Sequence, residues 1–263
     1  MLLVSLMALT LSLGAYANPL RIAVAANFKS TLEQILPKFH QAYPQIETQI
    51  ISGSTGALYA QISHGAPFDL LLAADAERPQ KLLAEKRALE IFHYTTGQLV
   101  YWVAGSLEQV DESTLRSAAT PIAIANPNTA PYGAAARQTL ASLNIQGTKF
   151  ITGSNVSQSY QFIESGNVAA GFIALSQVIN RTDSREWWLV PSRLYDSIVQ
   201  MGALLPNHHA GATTFMNFLQ SEPTQKVLSA NGYRNIKTGT TFEQDGIKTD
   251  NIIQASRRLT VPQ

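Results

Sequence analysis

The chain has 263 residues, 45% of them hydrophobic and 14% charged, with a formal net charge of +1. That is enough apolar material for one large domain or two smaller ones, and the near-neutral charge argues against nucleic acid or an anionic membrane as the main partner. The absence of cysteine excludes thiolate catalysis, disulfides and cysteine-ligated metals.

Residues 1–17, MLLVSLMALTLSLGAYA, carry no charge and end in Ala15-Tyr16-Ala17, a small-x-small pattern. They read as a secretory signal cut before Asn18, being short for a membrane span and interrupted by Ser5, Thr10, Ser12 and Gly14. Residues 20–25 then read as a buried strand, and Leu32, Ile35, Leu36 and Phe39 give residues 29–42 a helical spacing. Between the two lies the turn Ala26-Asn27-Phe28. A strand-to-helix turn points backbone N–H groups and the positive end of a helix dipole at one spot, which favours an anion.

The same device recurs. A strand over 46–51 runs into Ser52-Gly53-Ser54-Thr55-Gly56, and a helix follows with Leu58 and Ile62 inward. A strand over 68–73 leads to Asp75, a candidate cap for a helix over 79–86. Strands over 99–103 and 121–125 flank a short helix over 111–118, and the second ends in the turn Asn126 to Gly133, which contains Tyr132. A helix over 134–143 comes next. Residues 150–155 lead into a helix over 156–164, and a strand over 169–174 into a helix at 175–178. A strand over 198–205 and helices over 210–219 and 223–230 close the pattern, and residues from 237 on read as a polar tail. Alternating strands and helices predict an α/β fold with mainly parallel sheets.

In such a sheet the loops at the carboxyl ends of strands face a binding crevice. Asn27, Ser54, Thr55, Tyr132 and Val156 all fall in such loops, and the four turns contain no Lys or Arg. Their donors are neutral: an amide, hydroxyls, a phenol and backbone N–H. Dipoles of this kind hold an anion without a counter-charge. Each residue alone has a blander reading, with Asn27 and Ser54 as ordinary caps and Tyr132 as a packed loop aromatic. The set carries the inference. Other chemistry finds no motif: there is no G-x-S-x-G elbow and no G-x-x-x-x-G-K-[ST] loop. His208 and His209 are adjacent and read as exposed loop residues, Trp187-Trp188 as packing, and Asp69 or Asp75 as a remote choice of catalytic base.

The series Ala25-Ala26-Asn27-Phe28, Ser52 to Gly56 with Tyr59-Ala60-Gln61-Ile62, Gly65-Ala66-Pro67-Phe68-Asp69, Ala73-Ala74-Asp75, Asn126-Pro127 and Ala130-Pro131-Tyr132-Gly133 resembles the periplasmic molybdate-binding proteins of ABC importers. The resemblance continues through Ser154-Asn155-Val156-Ser157-Gln158 and Gly171 to Leu175, and ends near Ala230-Asn231-Gly232-Tyr233. It implies a two-lobed type II periplasmic binding protein fold that closes on its ligand, with no catalytic residue and no cofactor. It places the oxyanion contacts on Ala26, through its backbone, and on Asn27, Ser54, Thr55, Tyr132 and Val156, the last through its backbone N–H. The phenol in the Pro-Tyr-Gly turn marks the family's tyrosine-containing subgroup. Lobe one is expected over 18–98 and 201–236, lobe two over 99–200, a tail over 237–263, and crossings of the chain near 97–99 and 197–200. The implied ligands are molybdate and tungstate, the implied partner is the importer's permease at the inner membrane, and the implied state is a periplasmic monomer. Another tetrahedral oxyanion such as sulfate, or an enzyme or sensor on the same fold, remains an alternative.

Overall fold

The computed structural model describes residues 18–118 and 121–235, so the expected signal segment 1–17 and tail 237–263 lie outside the described residues. Two five-stranded sheets organise the chain. The first starts with β1 (Leu20–Ala25), β2 (Thr48–Gly53) and β3 (Leu70–Leu72), each followed by a helix: α1 (Lys29–Ala42), α2 (Thr55–Ser63) and α3 (Glu77–Ala84). β4 (Glu90–Gly97) leads across to the second sheet, made of β5 (Leu99–Val103), β6 (Ile122–Ala125), β7 (Phe150–Gly153), β8 (Ala170–Ala174) and β9 (Trp187–Leu189). Its helices are α4 (Glu112–Arg116), α5 (Pro131–Ser142) and α6 (Val156–Glu164). The chain returns in β10 (Ile198–Leu204) and closes with α7 (Gly211–Gln220) and α8 (Glu222–Ala230).

The strand orders are β2-β1-β3-β10-β4 and β7-β6-β8-β5-β9. In each sheet the fourth strand runs against both neighbours, and the other four share one direction. The α/β reading with mainly parallel strands therefore holds in both lobes. Each reversed strand is fed by the edge strand of the other lobe: β4 leads into β5, and β9 into β10. The two crossings lie side by side, with Gly97 paired to Ile198. Residues 198–200, expected in lobe two, pair with β4 in the first sheet, so the return crossing falls ahead of Ile198.

β4 and β9 were not legible in the sequence. Glu90, His93, Thr95 and Thr96 break the apolar run of β4, while β9 is only a three-residue edge strand. The helix expected at 175–178 is a single 3-10 turn, Leu175–Gln177. α5 begins three residues earlier than its apolar spacing suggested, because Pro131 occupies the first helical position, where its missing N–H has no partner to lose.

Two clusters of buried side chains cover the faces of the first sheet, one around Phe28, Phe39 and Phe215 and one around Leu58, Leu71 and Leu82. A third fills lobe two and takes in Ala25, Ala26 and Ala74 from lobe one, so apolar packing continues across the gap between the lobes. No helix among the described residues is long and apolar enough to cross a membrane.

Candidate functional site

The carboxyl ends of β1, β2, β6 and β7 bring four turns together. Direct hydrogen bonds join them across the lobes. Ser157 Oγ, on the first turn of α6, donates to the Ala26 carbonyl at 3.1 Å. The Gly56 N–H, on the first turn of α2, donates to the Thr129 carbonyl at 2.8 Å. Asn27 Nδ2 lies 3.5 Å from the Tyr132 hydroxyl. Ser176 Oγ and the Tyr233 hydroxyl both reach the Asn27 carbonyl, at 3.2 and 2.9 Å. Ala26, Asn27, Ser54, Thr55, Tyr132 and Val156 are all between 1% and 8% exposed. The structure thus gathers all six at one place between the lobes, out of bulk water.

Their chemistry differs residue by residue. The Thr55 hydroxyl accepts the Ala74 N–H at 3.0 Å, which uses a lone pair and leaves its proton to donate. Ser54 is the N-cap of α2 in extended backbone, yet its side chain makes no capping bond. Asn27 does not cap either: the N-cap of α1 is Phe28, without a side-chain cap, and the Asn27 amide faces the hydroxyls of Tyr132 and Tyr233. The capping reading therefore fails for both residues. Among the described residues the backbone N–H groups of Thr55 and Val156 have no partner, as the first residue of a helix requires, and that of Asn27, ahead of the N-cap of α1, has none either.

Ala26 is the correction. Its N–H donates to the Gly53 carbonyl at 2.9 Å, extending the β1–β2 ladder, and its carbonyl is taken by Ser157. It has no donor left to offer an anion, so it forms a wall, and the open donor at this turn is the N–H of Asn27.

Tyr132 stands on the second residue of α5, which comes close to the sheet because Gly133 has no side chain. A Cβ at Gly133 would lie 2.2 Å from the Ala125 carbonyl oxygen. The phenol oxygen is faced by two amide donors, Asn27 Nδ2 and Gln200 Nε2, the latter at 3.3 Å. Burial, followed by the neighbouring Tyr233, pushes the Tyr132 pKa well above the ordinary 10.0. Burial likewise pushes Tyr233 up to about 12. Both phenols are neutral at physiological pH and remain proton donors.

Among the described residues no cation is seen to enter the ring of turns. Arg78 sits at its rim, where it pairs with Asp75 at 2.5 Å and donates to the Asn128 carbonyl at 3.1 Å. The Asp75 pKa is raised mainly by burial, against the pull of Arg78. Asp75 also accepts the Arg78 N–H at 3.0 Å, but the N-cap of α3 is Ala76, so Asp75 holds the first turn from one residue ahead of the expected cap position. Asp69 accepts the N–H groups of Arg21 and His209, both at 2.6 Å. Both acids are committed to structural bonds, and among the described residues neither hydrogen-bonds to a histidine side chain or a second acid. His208 and His209 are half-buried instead of exposed, because His209 Nδ1 accepts the Gly211 N–H at 2.9 Å at the start of α7. A cavity of 670 Å³ bordered by Arg21, Asp69, Lys86 and His208 lies at the opposite end of the first sheet and contains none of the six residues. Among the described residues no group of three His, Asp or Glu could hold a metal ion.

Sequence reasoning missed Gln200, Tyr94 and Ser157 as parts of this site. Gln200 did leave a trace: it is the one amide in the apolar run Ile198-Val199-Gln200-Met201.

A profile of the bacterial extracellular solute-binding protein family matches residues 20–234. The chain is 36% identical over 231 residues to the molybdate-binding protein ModA of Rhodobacter capsulatus, covering 85% of this chain and 91% of that one. It is 36% identical over 245 residues to ModA of Azotobacter vinelandii, covering 88% and 96%. The solved structure of the periplasmic molybdate-binding protein of Azotobacter vinelandii superposes with a TM-score of 0.78 at 31% identity, over 83% of this chain and all of that one. This chain belongs to the bacterial extracellular solute-binding proteins, in the branch that contains the ModA proteins.

Proposed function

We propose that this protein binds molybdate, and tungstate by the same contacts, between its two lobes and hands it to the permease of an ABC importer. The observation that supports this most is the convergence of four buried, uncharged strand-to-helix turns, two from each lobe. The open donors are the N–H groups of Asn27, Thr55 and Val156 and the hydroxyls of Ser54, Thr55 and Tyr132. Each hydrogen bond to a charged acceptor contributes about 1.5–3 kcal/mol net, so a ring of this size replaces the hydration shell of a small dianion without a cation. The names of the relatives, which describe molybdate-binding proteins, point the same way. The protein works without catalysis or cofactor, as a monomer in the periplasm, reached through the segment 1–17.

Discrimination against sulfate rests on size. Molybdate and sulfate are both tetrahedral dianions with the same acceptors. Donors held at roughly 2.7–3.2 Å from the oxygens of the larger ion cannot all reach those of the smaller one. Calorimetric titration with molybdate, tungstate, sulfate and phosphate tests the reading. The first two should bind at least 100-fold more tightly than the last two, on the order of the loss of two such hydrogen bonds. Equal affinity for sulfate would overturn the size argument, and no heat with molybdate would overturn the function.

A further inference from the structure

An oxyanion needs the Tyr132 hydroxyl as a donor, but a phenol can turn its proton toward any acceptor nearby. What prevents this lies in the hinge. Gln200 is fully buried on β10, and its Nε2 donates to the Tyr132 oxygen at 3.3 Å. Its Oε1 lies 3.0 Å from the Tyr94 hydroxyl, with the amide placed nitrogen toward Tyr132. Tyr94 also reaches the Ala73 carbonyl at 3.0 Å, beside the Ala74 N–H that Thr55 accepts.

The backbone is built to allow this meeting. Gln200 pairs with Thr95 and Met201 with His93, so Tyr94 is the extra residue of a bulge between β4 and β10. A bulge turns a side chain away from the alternation of a regular strand, and here the displaced side chain meets that of Gln200. Gly97, on the same hinge strand, has no room for a side chain: a Cβ would lie 2.2 Å from the Tyr132 hydroxyl and 2.7 Å from Gln200 Nε2.

We infer that Gln200 is a positioning residue for the ligand, an amide on the hinge that occupies the Tyr132 oxygen and forces the phenolic proton toward the cleft. The inference rests on the oxyanion reading of the site. It also ties affinity to closure, because Tyr132 belongs to lobe two and Gln200 to the first sheet, so the phenol is set as a donor only when the lobes meet.

A double-mutant cycle on the full-length protein tests this, with molybdate affinity measured by calorimetry for wild type, Gln200→Met, Tyr132→Phe and the double variant. Gln200→Met leaves Tyr94 its bond to Ala73, and the melting temperature of each ligand-free protein reports on folding. The single Gln200→Met change should weaken binding roughly five- to tenfold, and in the Tyr132→Phe background by less than about twofold. Equal losses in both backgrounds would show a merely structural role and overturn the inference while leaving the oxyanion reading intact. A Tyr132→Phe protein with wild-type affinity would remove Tyr132 from the donor ring and overturn the inference, while a wild-type protein that did not bind molybdate would overturn the oxyanion reading. Gln200→Glu keeps the shape and, when ionised, accepts the phenolic proton instead. Its loss should be larger than that of Gln200→Met and should shrink as the pH is lowered and the carboxyl regains its proton. A loss independent of pH from 5 to 8 would count against the inference even if Gln200→Met failed to fold.

Discussion

The two lobes share a strand order and present different donors. α2 follows the edge strand β2 in one, and α6 follows the edge strand β7 in the other. Their N-cap residues, Ser54 and Asn155, are both in extended backbone, with φ of −69° and −153°. Asn155 caps its helix by accepting the Gln158 N–H at 3.1 Å; Ser54 makes no such bond. The central strands repeat the contrast. After β6, Asn126 closes its own turn by accepting the Asn128 N–H at 3.0 Å. After β1, Asn27 makes no such local bond, and its amide faces Tyr132 of lobe two and Tyr233. Lobe one turns the Asn27 side chain toward the other lobe. Lobe two uses its asparagines to hold itself and offers a phenol and a backbone N–H. An asparagine shortly after the central strand closes its own turn in lobe two and makes a cross-lobe contact in lobe one.

Substitutions can break or sharpen this contrast. The largest expected effect is on Tyr132, the side chain of lobe two proposed as a donor to the ligand. Tyr132→Phe should cost about 1.5–3 kcal/mol, roughly ten- to a hundredfold in molybdate affinity by calorimetry. The cap in lobe two comes next: Asn155→Ala should lower the stability of the ligand-free protein by about 1 kcal/mol, read as a fall of roughly 2–4 °C in melting temperature. At the matching position in lobe one, Ser54→Ala should shift that stability by less than about 0.5 kcal/mol while weakening molybdate binding. Matching losses of melting temperature in these two variants would erase the difference between the lobes. The smallest effect is a null one. Because burial raises the Tyr132 pKa well above 10.0, the phenol keeps its proton as the solution passes the range where an exposed tyrosine ionises. Affinity titrated between pH 7 and 10 should stay level, and a fall beginning below pH 10 would mean that Tyr132 ionises like a solvent-exposed phenol.

The sequence carried most of the layout because its signals were local. Apolar spacing in residues 29–42 matches α1, and the turn motifs end the strands. What it could not carry was the exact use of each polar atom. Nothing about Ala26 in the sequence says that its N–H is claimed by Gly53, a partner 27 positions away in the chain and beside it in the sheet. Nothing about Tyr94 says that a bulge turns it toward Gln200. These are properties of register, which depends on strand pairing over long separations, and the polar, mixed pattern of β4 hid that strand altogether.

The exchange of strands at the crossings also sets an order of assembly. The second sheet draws every strand from residues 99–189 and can be completed as soon as that stretch is available. The first sheet cannot: β3 and β4 are not neighbours, and the strand that joins them is β10, which ends at Leu204. Until then lobe one has an open slot between two unpaired strand edges, the kind of surface on which chains aggregate. During synthesis or refolding, lobe two should therefore gain hydrogen-exchange protection first. Lobe one would acquire its own only when β10 enters the slot, and the hinge that aligns the two binding surfaces would be the last part of the protein to form.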